Sequence, residues 1–178
     1  MPGASAYGFV GLIAGVATLR LAELRLSARN LGRLRARGGV ESGQGHYPGM
    51  VALHTGFLVA APLEVVVLGR EFHPALGLTM LGLFALAVAL RVWVIRTLGD
   101  RWCTRVVVLP GVPLVLGGPF RLLRHPNYLA VAVEMPALAL VHTAWLSALV
   151  FGGLNLLLLR TRIQVEDVAL GSTAASSS

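Results

Sequence analysis

The sequence predicts an all-α, polytopic membrane protein of about five transmembrane helices, the last two a helical hairpin. Three observations carry that prediction. Hydrophobic residues make up 56% of the 178 residues and charged residues only 13%, against roughly 25% charged in a soluble domain. Four apolar windows reach the roughly 20 residues that an α-helix needs to cross a bilayer. All 15 basic residues are arginine, and they cluster between alternate windows.

So little charge cannot clothe a water-facing surface, which excludes a soluble globular enzyme, and so apolar a chain is not disordered. The net charge of +7 is expected to mark the cytoplasmic face, since the basic patches of nucleic-acid-binding proteins rarely sit between apolar spans. A single cysteine, Cys103, cannot form an internal disulfide, and no Cys/His spacing indicates a metal site.

The first span is expected over Ala6–Leu24; the uncharged stretch Met1–Leu19 lacks the basic flank of a cleaved signal peptide and reads as retained. The second covers Met50–Leu68 and the third Phe72–Ile95, with Arg91 near its end. From His125 to Leu159 the only charged residue is Glu134. About 35 residues are too many for one crossing, so two short spans should turn near His142, Thr143 and Ala144.

Loop one then holds Arg20, Arg25, Arg29, Arg33, Arg35 and Arg37, and loop three holds Arg91, Arg96, Arg101, Arg105, Arg121 and Arg124. Arg160 and Arg162 follow the last span, and only Arg70, offset by Glu71, lies opposite. The positive-inside rule therefore puts the N-terminus outside and the C-terminus in the cytoplasm. Val106–Phe120 is uncharged, but Pro110, Gly111, Pro113, Gly117, Gly118 and Pro119 break any crossing helix. A connector folded on the cytoplasmic face is expected, with Val106–Val108 extended. Residues 1–170 form one domain, and the small, polar tail Gly171–Ser178 is expected to be unstructured.

Chemistry concentrates at Phe120–Tyr128 and Arg160–Leu170. The hairpin brings the two stretches to one level, so that Arg121, Arg124 and His125 meet Arg160, Arg162, Glu166 and Asp167. Spacing alone leaves two readings open. Pro126 suits a first helical turn beside a capping His125 or Asn127, and Arg162 and Glu166 stand four apart on a helix, as a neutralising pair would. The other reading is a site for a small molecule bearing both charges.

Two acids, Glu64 and Glu134, fall within apolar spans, where an ionisable side chain is a functional hypothesis by default. Glu64 is expected to pair with Arg70. Glu134 lies on the face of Asn127 and is a candidate for the site. His54 is expected to make an interhelical hydrogen bond, and Trp93, Trp102 and Trp145 to form an aromatic belt.

The strings Leu116–Arg121 and Arg124-His125-Pro126-Asn127-Tyr128, an apolar hairpin, and then Arg162-Ile163 to Glu166–Leu170 resemble the isoprenylcysteine carboxyl methyltransferase family of integral membrane methyltransferases. The likeness spans roughly Arg91–Leu170. Asp167 stands where the family usually has a second glutamate. The resemblance implies a cytoplasmic cofactor pocket roofed by the connector, in which His125, Tyr128 and Glu166, with Arg124, Pro126, Asn127 and Asp167, hold S-adenosylmethionine. It places Arg162, and with less support Arg160, toward the acceptor or the cofactor carboxylate.

Arg29–Arg37, Gly38-Gly39-Val40-Glu41 and His46-Tyr47-Pro48 resemble the bacterial branch associated with type III polyketide synthases, which implies alkylpyrone or alkylresorcinol acceptors. The alternative for the same arginines is contact with anionic lipid headgroups. The expected activity is thus O-methylation of a lipophilic acceptor drawn from the bilayer, a polyketide-derived lipid or an isoprenylcysteine-type carboxylate, with Arg162, Arg160 and Glu134 as candidate catalytic residues. An NADPH-dependent membrane reductase using the His125–Tyr128 element and a non-enzymatic scaffold are the competing readings.

Overall fold

No proline interrupts Ala4–Ala36, and its leucines, alanines and arginines are strong helix formers. In the computed structural model, which describes residues 3–175 and side chains as far as Gly171, this stretch is one helix, α1 (Ala4–Ala36). The arginines assigned to loop one therefore ride on a helix, with Arg37 at its C-cap. Arginine marks a membrane face without ending a helix, so its charge pattern carries no boundary signal. Ala6, Phe9, Ile13, Val16, Glu23, Ser27, Asn30 and Leu34 are buried along one stripe, with the spacing of three and four that a packed helix face requires.

Four helices follow. These are α2 (Tyr47–Val67), α3 (Pro74–Leu98), α4 (Pro126–Leu140) and α5 (Trp145–Ala175). Pro48, Pro74 and Pro126 each sit in a first turn, where the missing N–H leaves nothing unpaired. The stretches Gln44–Val67, Pro74–Arg101 and Trp145–Gly171 are long and apolar enough to cross a membrane. The five expected crossings thus correspond to five helices, of which three have that length and composition. α4, at 15 residues, extends about 22 Å, less than the roughly 30 Å apolar core of a bilayer.

The expected hairpin turn is present at Val141–Ala144. Thr143 takes a left-handed φ of 53°, its hydroxyl donates to the Glu71 carbonyl at 2.7 Å, and the Ala144 N–H returns to the Ala139 carbonyl at 3.0 Å. Glu64 caps the next helix from outside, accepting the N–H groups of Leu146 at 3.1 Å and Ser147 at 2.7 Å. Arg70 donates to the same carboxylate at 3.0 Å, so the expected Glu64–Arg70 pair also anchors the start of α5. The tail expected to be unstructured begins inside α5, and its last residues, 176–178, lie outside those described.

The all-α expectation needs one correction. Val40–Ser42 (β1) and Val106–Val108 (β2) form a two-stranded antiparallel sheet with Val40 opposite Val108 and Ser42 opposite Val106. The extended valines of the connector thus have a partner just past the end of α1.

Along the bundle three layers succeed one another. At one end Phe9, Ile13, Phe57, Val65, Phe84, Met135 and Leu138 pack into the apolar core. Next comes a buried ring of two arginines and two glutamates. Arg91 donates to both oxygens of Glu134, at 3.0 and 2.8 Å, and to Glu23 at 3.3 Å, while Arg20 reaches Glu23 at 2.5 Å and Glu134 at 3.1 Å. The ring joins α1, α3 and α4 and is electrically neutral, the condition under which charge is tolerated away from water. Arg20 and Arg91 are therefore interior residues and not loop residues. His54 is a smaller correction, since its Nδ1 lies 2.9 Å from the Met50 carbonyl of its own helix and makes no interhelical bond there. Beyond the ring lies the third layer, a cavity.

Candidate functional site

The cavity, about 730 Å³ in volume, lies where α1, α3 and α5 end and α4 begins. Its wall combines the start of α4 with Arg162, Glu166 and Asp167 of α5, and the connector from Cys103 to Leu116 covers it. The connector is pinned at its root. Asn30 of α1 donates to the carbonyls of Trp102 at 2.9 Å and Gly99 at 3.1 Å. Ser27 accepts the Thr104 N–H at 2.9 Å, its hydroxyl lies 2.8 Å from that of Thr104, and Arg162 donates to the Thr104 carbonyl at 2.8 Å. At its far end Gly118, with φ +57°, fits against α3 so closely that a Cβ would stand 2.4 Å from Thr97 Oγ1.

A second clasp holds the sheet. Glu41 of β1 accepts Arg105 Nη1 at 2.6 Å and Arg35 Nη2 at 2.7 Å, and the Arg105 guanidinium lies 4.1 Å from the Tyr47 ring centroid. Burial pushes the Glu41 carboxyl up, but the hydrogen bonds and charges of Arg105 and Arg35 outweigh it and hold the group below its ordinary value of 4.5. A depressed carboxyl stabilises the fold above its unfolded pKa and ceases to do so as pH falls through its folded one. The clasp is thus expected to be intact at pH 7 and to weaken only below about pH 4.5. Amide exchange of Val106–Val108 against pH checks this, and Glu41→Gln should remove the acid-dependent loss of protection.

Of the residues singled out from sequence, Arg124, His125, Pro126, Asn127, Tyr128, Arg162, Glu166 and Asp167 all line this one cavity. The Tyr128 hydroxyl donates to Glu166, which ties the start of α4 to α5. His125 Nε2 stands 3.3 Å from Asp167 Oδ1 yet makes no aligned hydrogen bond, and Arg124 approaches the same carboxylate at 3.5 Å. Arg162 is 8% exposed and has no carboxylate within ion-pair distance among the described residues. Its other neighbours are Met50 Sδ and the Tyr128 ring, 5.4 Å from centroid to guanidinium carbon.

Two expected residues lie elsewhere. Glu134 belongs to the buried ring, where Arg91 and Arg20 take both its oxygens, and it does not line this cavity. Arg160 is exposed and does not line the cavity. Arg162, two residues on, is rotated about 200° around the helix at about 3.6 residues per turn, and so points inward where Arg160 cannot. Trp102 is a residue that sequence reasoning misassigned. It is 2% exposed and lines the cavity, whereas Trp93 and Trp145 are about half exposed, as a belt requires.

Four buried polar atoms in the cavity wall have no hydrogen-bond partner, namely Trp102 Nε1, His125 Nε2, Asn127 Oδ1 and Arg162 Nε. An unpaired buried donor or acceptor costs about 1–3 kcal/mol. Such a set in one wall is what a site looks like when its ligand supplies the missing partners.

Residues 80–172, just over half of the chain, match the family model for the isoprenylcysteine carboxyl methyltransferase family. The chain is 32% identical over 160 residues to the uncharacterized protein YpbQ of Bacillus subtilis (strain 168), covering 89% of this chain and 94% of that one. It is 29% identical over 158 residues to an uncharacterized protein of Haemophilus influenzae (strain ATCC 51907 / DSM 11121 / KW20 / Rd), covering 87% and 90% respectively. No solved structure matches it.

Proposed function

Because the chain belongs to the isoprenylcysteine carboxyl methyltransferase family, we propose that it is a membrane O-methyltransferase whose cavity binds S-adenosylmethionine and presents it to a lipophilic acceptor. The observation that carries this reading is the uncompensated, buried Arg162 beside three further unpartnered polar atoms in one cavity. A buried cation without an anion is costly, and a ligand carboxylate or an ionised acceptor oxygen would complete it.

The residues fit that cofactor. Its carboxylate suits His125, Arg124 or Arg162 through charge-assisted hydrogen bonds, and its ammonium suits Glu166 or Asp167. Leu98, Val106 and Leu109, with the Trp102 N–H, offer an apolar surface and one donor to its ring system. A volume of about 730 Å³ lies within the range of roughly 300–1,000 Å³ typical of small-molecule pockets. When bound, S-adenosylmethionine supplies a methyl group on a positively charged sulfur.

The chain's own contribution would be positioning and exclusion of water. Tyr128 and Glu166 hold α4 against α5, the connector covers one side of the cavity, and Arg162 favours an anionic oxygen at its face. An acceptor carboxylate is already ionised at neutral pH and needs only placement. A phenolic or enolic acceptor, with a pKa of about 10 for a phenol, would draw on Arg162 to favour its anion. A dry cavity assists a reaction in which an anion and a sulfonium give neutral products.

We place the cavity end at the cytoplasmic face. The ends of α1, α3 and α5 and the start of α4 carry most of the arginines, while Arg70 lies at the opposite end of the bundle. Membranes of cells expressing the protein, supplied with S-adenosylmethionine bearing a trideuterated methyl, are expected to yield a lipid carrying that label. Unlabelled lipid extracts from membranes with abundant folded protein would overturn the assignment.

A further inference from the structure

At the cavity end the acids are spoken for. Glu41 is taken by Arg35 and Arg105, Asp100 by Arg37 and Glu166 by Tyr128, and Asp167 lies 3.5 Å from Arg124. Against them stand six exposed arginines, Arg25, Arg29, Arg33, Arg96, Arg121 and Arg160, with neither an ion pair nor a hydrogen bond among the described residues. All six lie at one end of the bundle, because α1, α3 and α5 run toward it and the connector lies across it. Arg25, Arg29 and Arg33 recur every fourth residue along the exposed face of α1. That helix has 33 residues and a length of about 50 Å, roughly 20 Å more than the apolar core of a bilayer, so with its apolar first half set in the bilayer beside α2, α3 and α5 its arginine half would stand at headgroup level and beyond.

Beside these charges the connector exposes Leu114 at 59% and Leu116 at 72%, and the turn that follows it exposes Leu122 at 75%, all on the rim of the cavity. Leucines this exposed at the end of the bundle, among unpaired guanidinium groups, match an interfacial surface whose apolar residues enter the acyl boundary while its cations meet phosphate. Exclusive use of arginine fits the same partner, since the guanidinium binds phosphate oxygens in pairs and keeps its charge at any physiological pH.

We propose that the cavity end of the bundle is a docking surface for the phosphate headgroups of anionic phospholipid, with the connector leucines inserted between them. The rim of the cavity then lies within the headgroup layer. The lipid contact itself does not depend on the methyltransferase reading.

The test uses the full chain reconstituted in phosphatidylcholine vesicles with a trace of spin-labelled phosphatidylglycerol or spin-labelled phosphatidylcholine. Electron paramagnetic resonance then measures the fraction of each label immobilised by the protein. The phosphatidylglycerol label is expected to be preferred several-fold at low salt, at up to about fivefold for each arginine engaged, and less so as salt rises. The triple variant Arg25→Gln, Arg29→Gln, Arg33→Gln should lose most of the preference. Equal immobilisation of the two labels, or a preference that the triple variant retains in full, would overturn the proposal. Lack of preference together with binding of soluble poly-glutamate to the vesicles would assign the surface to an acidic polypeptide instead.

Discussion

Alanine in place of Glu166 is expected to weaken binding of S-adenosylhomocysteine roughly ten- to hundredfold, the effect of losing a hydrogen bond to a charged group worth about 1.5–3 kcal/mol. Two consequences add. The carboxylate no longer faces the ligand ammonium, and the Tyr128 hydroxyl that it accepts is left buried without a partner. His125→Ala is expected to act over the same range while leaving the Tyr128–Glu166 contact in place. Calorimetric titration of each purified variant, with its melting temperature as a control for folding, separates lost affinity from lost structure. Unchanged affinity in both variants would show that the ligand lies elsewhere.

The largest expected effect on stability lies outside the cavity. Arg91→Met removes the guanidinium that contacts both oxygens of Glu134 and one of Glu23, leaving buried carboxylates with only Arg20 between them. Breaking one member of a buried ionic set costs about 3–5 kcal/mol, and a fall in melting temperature of several degrees is expected. Adding Glu134→Leu to Arg91→Met should restore much of that loss, because an apolar pair of similar volume carries no stranded charge. Ligand affinity at temperatures where the variant remains folded should be nearly unchanged, which distinguishes a structural ring from a catalytic one. Stability of the double variant as low as that of Arg91→Met alone would contradict this reading.

The hairpin and the cavity-forming motifs were legible in the sequence because their signals are local. An apolar stretch of about 35 residues is too long for one crossing, and once it folds back, Arg162, Glu166 and Asp167 must arrive beside His125 and Tyr128. The connector was equally legible, since its prolines and glycines exclude a helix. Glu134 was misplaced for the opposite reason. Its partners Arg91 and Arg20 lie 43 and 114 residues away, and nothing in its own surroundings shows that they will meet it.

The α1 extension was hidden because arginine is at once a helix former and a marker of the membrane face. The β1–β2 sheet, at three residues a strand, is too short to show alternation. Trp102 looked like Trp93 and Trp145, and only the hydrogen bonds from Asn30 to its backbone carbonyl and to that of Gly99 reveal that it is held inward.

The measurement that bears most directly on the cavity is a competitive titration of the intact, purified protein with S-adenosylhomocysteine and with NADPH, repeated on Arg162→Ala. Saturable binding of S-adenosylhomocysteine at one site, weakened in the variant and undisturbed by NADPH, is the predicted result. Saturable NADPH binding that S-adenosylhomocysteine does not displace, with no binding of S-adenosylhomocysteine by itself, would contradict it.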